Sequence, residues 1–216
     1  MMADLLATYA TALVAFLVIV DPLGLVPIFI ALTRGADQVA RQRMALKATL
    51  IAAGVLVAFA LLGENLLTSI GIGIPAFRIA GGILLLLVAL EMVFERRSQR
   101  RENTAGHVAE ERAVEEQVPD ISVFPLAVPL LAGPGAITTV ILHMGAKAGS
   151  WPGQLAVLSA LLTSILVVAI ALFLASRLER YLGATLINVF SRLLGLLLAA
   201  LAVQFIIDGI KRAFGL

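Results

Sequence analysis

The chain is 216 residues long, and 61% of them are hydrophobic while only 14% are charged, against about 25% charged in ordinary soluble domains. With a mean hydropathy of +1.03, it cannot hide its apolar surface in a water-soluble fold of this size, so the bilayer is its solvent. The net charge of +2 comes mostly from loop arginines, which report membrane orientation and carry no nucleic-acid signal, and the lack of cysteine excludes disulfides, thiolate metal sites and a cysteine nucleophile.

Six apolar runs are candidates for crossing about 30 Å of hydrocarbon. Lipid cannot hydrogen-bond a bare backbone, and these runs lack the alternation of a barrel strand, so the fold class is all-α integral membrane. The first run, Leu5 to Leu32, follows Asp4 instead of a basic region and lacks a convincing cleavage site, and it reads as a retained helix. Its 28 residues would span about 42 Å, too long for an untilted crossing. Asp21, Pro22, Gly24 and Pro27 lie near its middle, so it should break or fold back. The second and third runs are Ala45 to Leu67 and Ile72 to Phe94. Glu95 to Asp120 is dense in Arg and Glu and reads as a solvated linker. The fourth run, Ile121 to His143, carries Pro125, Pro129 and then Gly133-Pro134-Gly135, and should also break. The fifth and sixth are Gln154 to Leu174 and Leu182 to Ile210. Small-residue faces at Ala48, Thr49, Ala52 and Ala53, and at Ala156, Ser159, Ala160, Thr163 and Ser164, suit close helix packing.

The organisation is therefore a first three-helix repeat over 1–94, a charged linker over 95–120 and a second three-helix repeat over 121–216. Three spans per half is an odd number, so related halves would insert in opposite orientations. Asp21-Pro22-Leu23-Gly24 corresponds to Gly133-Pro134-Gly135-Ala136 at an offset of 112, and Arg78-Ile79-Ala80-Gly81 to Arg192-Leu193-Leu194-Gly195 at an offset of 114. A weaker match pairs Ala58-Phe59-Ala60-Leu61 with Ala169-Ile170-Ala171-Leu172 at 111. Eleven Lys and Arg fall in the first, third and fifth loops (Arg34, Arg41, Arg43, Lys47, Arg96, Arg97, Arg100, Arg101, Arg112, Arg177, Arg180) against Lys147, Lys211 and Arg212 opposite. The positive-inside rule then puts the linker in the cytoplasm and both termini outside.

Discontinuous helices at matching positions of two halves point to a transporter's substrate site, because unpaired backbone groups are tolerated only beside protein or a water-filled cavity. The rival reading is a pair of proline kinks serving packing. Asp21 before Pro22 is a good N-cap pair, so the first half-helix brings its own anion. Gly133-Pro134 begins the second half-helix without a side-chain acceptor, which leaves its amides for an outside anion. A zwitterion fits such a pair, with its carboxylate at Gly133-Pro134-Gly135, its ammonium toward Asp21, and hydroxyl contacts from Thr138 and Thr139. Asp21 has two readings: intramembrane carboxylates often carry protons or cations, and capping alone is the alternative. Glu64, Glu91 and Asp208 lie near run ends within reach of headgroups. Arg78 and Arg192 are expected to snorkel to the interface, with gating or carboxylate pairing as the alternative their repeat symmetry suggests. His107 lies in the linker and His143 at a run end, and neither is expected to relay protons. Trp151 and Tyr181 read as interfacial anchors.

The stretches Asp21 to Phe29 and Pro125 to Thr139, with the run Pro129-Leu130-Leu131-Ala132-Gly133-Pro134-Gly135, closely resemble the MarC family of six-helix bacterial and archaeal inner-membrane proteins. The resemblance covers essentially the whole chain. It implies a plasma-membrane location and a place among small neutral amino acid transporters within the LysE-like exporters. Many members of that family have Asn at the position of Asp21, which can cap a helix but not titrate.

The expected function is a secondary transporter of small neutral amino acids such as glycine or alanine, working by alternating access. The expected partners are a small zwitterionic substrate, a coupling proton or sodium ion and the lipid bilayer, with no nucleic acid and with a homo-oligomer left open. No cofactor or metal is expected, no phosphate-binding loop is present, and too few catalytic groups lie within the bilayer for an enzyme. The alternatives are an exporter or channel for other small solutes, or an accessory membrane protein without transport activity.

Overall fold

A computed structural model describes residues 2–94, 120–175, 177 and 184–215, and the elements among them are all helical. In chain order they are α1 (Met2–Val20), α2 (Pro22–Leu32), α3 (Gln38–Ser69), α4 (Ile74–Val93), an irregular helix α5 (Ser122–Leu131), α6 (Pro134–Ala146), α7 (Trp151–Phe173) and α8 (Ala184–Phe214). Five apolar stretches are long enough to cross a membrane, and the bent pair α5 and α6 makes a sixth. The linker residues 95–119, with their five arginines and His107, lie outside the described residues, as do Arg180 and Tyr181.

Polar side chains cap the starts of three helices, α2, α3 and α7. Asp37 caps α3 by accepting from the Ala40 amide at 2.7 Å, and Ser150 caps α7 through the Gly153 amide at 3.4 Å. Proline occupies the first turn of α2, α4, α6 and α7, where its missing N–H costs nothing. The expected runs and the observed helices differ at their ends. Thus α3 starts at Gln38 and not Ala45, because apolarity marks the hydrocarbon span while the capped helix continues through Arg41, Arg43 and Lys47 into the polar layer. Its 32 residues extend to about 48 Å. Similarly α8 runs on to Phe214, with Lys211 and Arg212 in the last turn, where cations meet the negative end of the helix dipole.

Apolar side chains cover the outer surface as well as the interior. Leu50, Leu62, Leu87, Leu166 and Leu196 are among many exposed large apolar side chains. Inside, small residues bring backbones together, as bilayer interfaces require. The two helices α4 and α8 lie antiparallel along each other. A carbon added at Gly82 would be 2.8 Å from the Ala202 carbonyl oxygen, one at Gly209 would be 3.0 Å from that of Pro75, and one at Gly195 would be 3.1 Å from that of Ala89. The small-residue faces expected on α3 and α7 are interior at Ala48, Thr49, Ala52, Ala160 and Ser164, while Ser159 faces outward.

The tertiary arrangement exchanges partners between the halves. Helix α3 packs on α5 and α6, and α7 packs on α1 and α2, while α3 also meets α7 and α4 meets α8. Across the α1 and α7 contact, the Tyr9 hydroxyl donates to Thr163 Oγ1 at 3.1 Å. Thr8, Thr49, Thr68 and Thr163 return their hydroxyl protons to the carbonyl four residues back, which satisfies the group without water.

Candidate functional site

The first interruption is built on one residue. Asp21 has φ 56° and ψ 70°, the left-handed region, and is the one non-glycine residue with positive φ among the described residues. Asp and Asn are the side chains that tolerate this conformation. Pro22 offers no N–H, so the Val18 carbonyl loses its partner four residues on. Asp21 keeps the rest of the ladder in place: its amide donates to the Leu17 carbonyl at 2.9 Å and its carbonyl accepts from Leu25 at 3.1 Å. Its carboxylate turns onto the new helix, where Oδ1 accepts from the Gly24 amide at 3.1 Å. A side chain at residue 24 would overlap that carboxylate, so Gly24 is the consequence of the cap. The interruption is local. Helices α1 and α2 continue as one 31-residue apolar span, Met2–Leu32, so the first run breaks without folding back.

The second interruption is wider. Phe124 (φ −127°, ψ 129°) and Val128 (φ −130°, ψ 124°) are extended, and each precedes a proline, which disfavours helical dihedrals in the residue before it. The amides of Leu126 and Ala132 therefore reach back five residues, to Ile121 at 3.2 Å and Ala127 at 2.8 Å. Across Ala132 and Gly133 the chain turns by 54° into α6. A carbon on Gly133 would be 2.5 Å from the Pro129 carbonyl oxygen, so only glycine closes this corner. Gly133 is the N-cap of α6 and supplies no side-chain hydrogen bond. One half-helix is thus capped by its own carboxylate and the other is uncapped.

The two interruptions are neighbours. A carbon on Gly135 would be 3.6 Å from Ile19 Cγ2 and 3.7 Å from Leu85 Cδ2, so the first turn of α6 lies against the last turn of α1. Asp21, Gly24, Thr138 and Thr139 are buried, Pro22, Pro27, Gly133 and Gly135 are half-buried, and Pro134 is exposed. Thr139 Oγ1 donates to the Gly135 carbonyl at 2.8 Å, and Thr138 presses its methyl onto α4 at Gly81.

The two arginines differ. Arg78 does not snorkel: it is 2% exposed, and its Nε and Nη2 have no hydrogen-bond partner among the described residues. It interacts electrostatically with Arg212 and Asp208 of α8 and with His143 of α6. Seven residues along α4, a rise of about 10 Å, separate it from Leu85, which packs near Gly135. Arg192 is exposed. His143 is also interior, 8% exposed, because α6 is a short half-helix buried over most of its length. Its Nδ1 is 3.0 Å from the Thr139 carbonyl oxygen, and its ring lies between Phe16 and Phe205 at centroid distances of 5.7 and 5.5 Å. Asp208 accepts from Gln204 Nε2 at 2.8 Å. Among the described residues no group of three His, Cys, Asp or Glu is placed to hold a metal ion.

At the start of α5, outside the apolar spans, Asp120 accepts from Lys47 Nζ at 2.5 Å and from the Ser122 side chain and amide. The Lys47 hydrogen bond, followed by those from Ser122, lowers its carboxyl pKa to about 2.

A family described as "MarC family integral membrane protein" matches residues 6–214, a match that includes both interruptions. The chain belongs to the MarC family. Its relatives in the family include a UPF0056 membrane protein of Methanocaldococcus jannaschii, 39% identical over 90% of this chain and 92% of its own length. A UPF0056 membrane protein of Pyrococcus abyssi is 35% identical over the full length of both chains, and YhcE of Escherichia coli, also a UPF0056 membrane protein, is 37% identical over 95% of this chain and 93% of its own. No solved structure matches the chain. As a MarC protein it is an integral, multi-pass membrane protein, consistent with a transport-type role. Sequence reasoning named Arg78 and His143 but placed them at the interface and at a run end, and it missed their burial because nothing local to either residue shows which way its helix faces.

Proposed function

We propose that this MarC protein is a secondary transporter of small neutral amino acids, which binds its substrate between the two interrupted helices and works by alternating access. The observation that carries this reading is the unequal capping of two adjacent interruptions. Asp21 fills the positive end of α2, whereas the end of α6 at Gly133 has no side-chain acceptor. An uncapped helix N-terminus attracts an anion, and a carboxylate one short span away attracts a cation. A small zwitterion matches both. Its carboxylate would meet the amides from Gly135 onward and its ammonium Asp21, with Thr138 and Thr139 beside it, while Pro22, Pro27 and Pro134 hold the interruptions open.

The exchanged packing, in which α3 grips the broken helix of the second half and α7 that of the first, together with antiparallel α4 and α8, supports two inverted repeats that rock against each other. In this reading a proton or sodium ion supplies the energy, the protein catalyses no reaction, it resides in a bacterial or archaeal plasma membrane with both termini outside, and Arg78 and Arg192 act in gating or carboxylate pairing. The test is uptake of glycine or alanine into proteoliposomes. Saturable counterflow that falls in Asp21→Asn and in Gly133→Leu supports the carrier. Flux unchanged by both substitutions removes the basis of the proposal, and flux without counterflow indicates a pore.

A further inference from the structure

Where α2, the start of α3 and the end of α7 meet, the chain forms a cavity of about 190 Å³. Its lining has two chemistries. Gln38, Arg41 and Gln42 of α3 and Arg177 beyond α7 are polar or cationic, while Phe29 and Leu172 are apolar. Residues 38, 41 and 42 are spaced to share one helix face, and that face turns into the cavity. Arg41 Nε is shielded from solvent and has no hydrogen-bond partner among the described residues. A desolvated donor on a cation is costly unless something accepts from it. Two acidic groups among the described residues near α3 are engaged elsewhere: Asp37 caps α3 and Asp120 pairs with Lys47.

Depth in the bundle narrows the chemistry. The apolar helix α2 ends at Leu32 and α7 at Phe173, and α3 buries its first apolar side chains at Met44 and Ala45. The cavity therefore straddles the level at which hydrocarbon gives way to the polar layer. Basic pockets between spanning helices at this level suit anionic head groups, and guanidinium with amide donors suits the several oxygens of a phosphate.

We propose that this cavity binds a phosphate-bearing anion, with Arg41 and Arg177 neutralising its charge and Gln38 and Gln42 donating to its oxygens. The apolar wall formed by Phe29 and Leu172 would take the glycerol and upper acyl carbons of a phospholipid, while a soluble phosphate ester would use the polar wall alone. This site is separate from the interrupted helices and stands or falls independently of transport.

The experiment is native mass spectrometry of the full-length protein titrated with phosphatidylglycerol, phosphatidylcholine and glycerol 3-phosphate. Wild type should retain phosphatidylglycerol at least tenfold more tightly than phosphatidylcholine, and Arg41→Gln/Arg177→Gln should lose most of that preference. Arg177 is exposed, so Arg177→Gln alone makes the same test if the double variant does not fold. Saturable binding of glycerol 3-phosphate that the same variants abolish supports the site with a soluble ligand, and its absence beside tight phosphatidylglycerol assigns a lipid. Equal retention of the two lipids without glycerol 3-phosphate binding overturns the proposal. So does phosphatidylglycerol binding undiminished in a folded variant.

Discussion

Replacing Asp21 separates its backbone role from its charge. In Asp21→Ala, a residue with a Cβ and no local hydrogen bond must hold φ 56° and ψ 70°, which costs about 1–2 kcal/mol. The Gly24 amide also loses its acceptor, about 1 kcal/mol for an N-cap. Together these amount to roughly 2–3 kcal/mol, or a fall of about 4–12 °C in melting temperature for a chain of this length. Asn keeps the left-handed preference and the side-chain oxygen, so Asp21→Asn should stay within about 2 °C of wild type. Asp21→Gly should lie between them. Circular dichroism melts of detergent-solubilised protein measure all three. If Asn destabilises as much as Ala, the carboxylate charge and not the cap holds this interruption.

Other substitutions test the packing and the buried charge. Gly82→Val should drive a side chain into Ile206 and the Ala202 carbonyl and lower stability by about 1–3 kcal/mol, whereas Gly54→Val, where nothing lies within 4 Å, should change it by less than about 0.5 kcal/mol; paired melts decide. Arg78→Met removes a desolvated cation with two unpartnered nitrogens and should melt no lower than wild type, since apolar replacement of buried charge is often neutral or stabilising; a drop above about 5 °C would mean that an unrecognised partner holds Arg78. The Lys47 and Asp120 pair is half exposed, so Lys47→Met should cost less than about 1 kcal/mol at neutral pH. Because the Asp120 carboxyl is depressed from 3.8 to about 2, this stabilisation is present above pH 4 and is lost as pH falls through 2. Melts of wild type and variant should therefore converge between pH 4 and pH 2, and a difference that persists at low pH would contradict the assignment.

Much of the site's local chemistry was legible because it is local. Asp followed by Pro specifies a capped restart, two prolines four residues apart force two extended residues before them, and Gly133-Pro134 specifies an uncapped one. Apolar length fixed the number of spans but not their ends, since Asp37 and the residues after it carry α3 into the polar layer. The degree of each break was less legible. Composition alike suggested that both runs would bend, yet the αL geometry of Asp21 passes the ladder through, whereas the double X-Pro segment turns the chain by 54°.

Composition and short-range stereochemistry, then, were enough to determine a membrane-embedded, all-helical chain with two interrupted helices and the cap of the first. Tertiary structure alone decided which side chains face inward: it buried Arg78 and His143, left Arg192 outside, and set Ile19 against Gly135. The physical reason is that in a bilayer both lipid-facing and protein-facing positions are apolar, so periodicity carries little of the signal that orients helices in water. Facing is set instead by which glycines and alanines let two backbones approach, a property of pairs of helices that no single stretch of sequence contains.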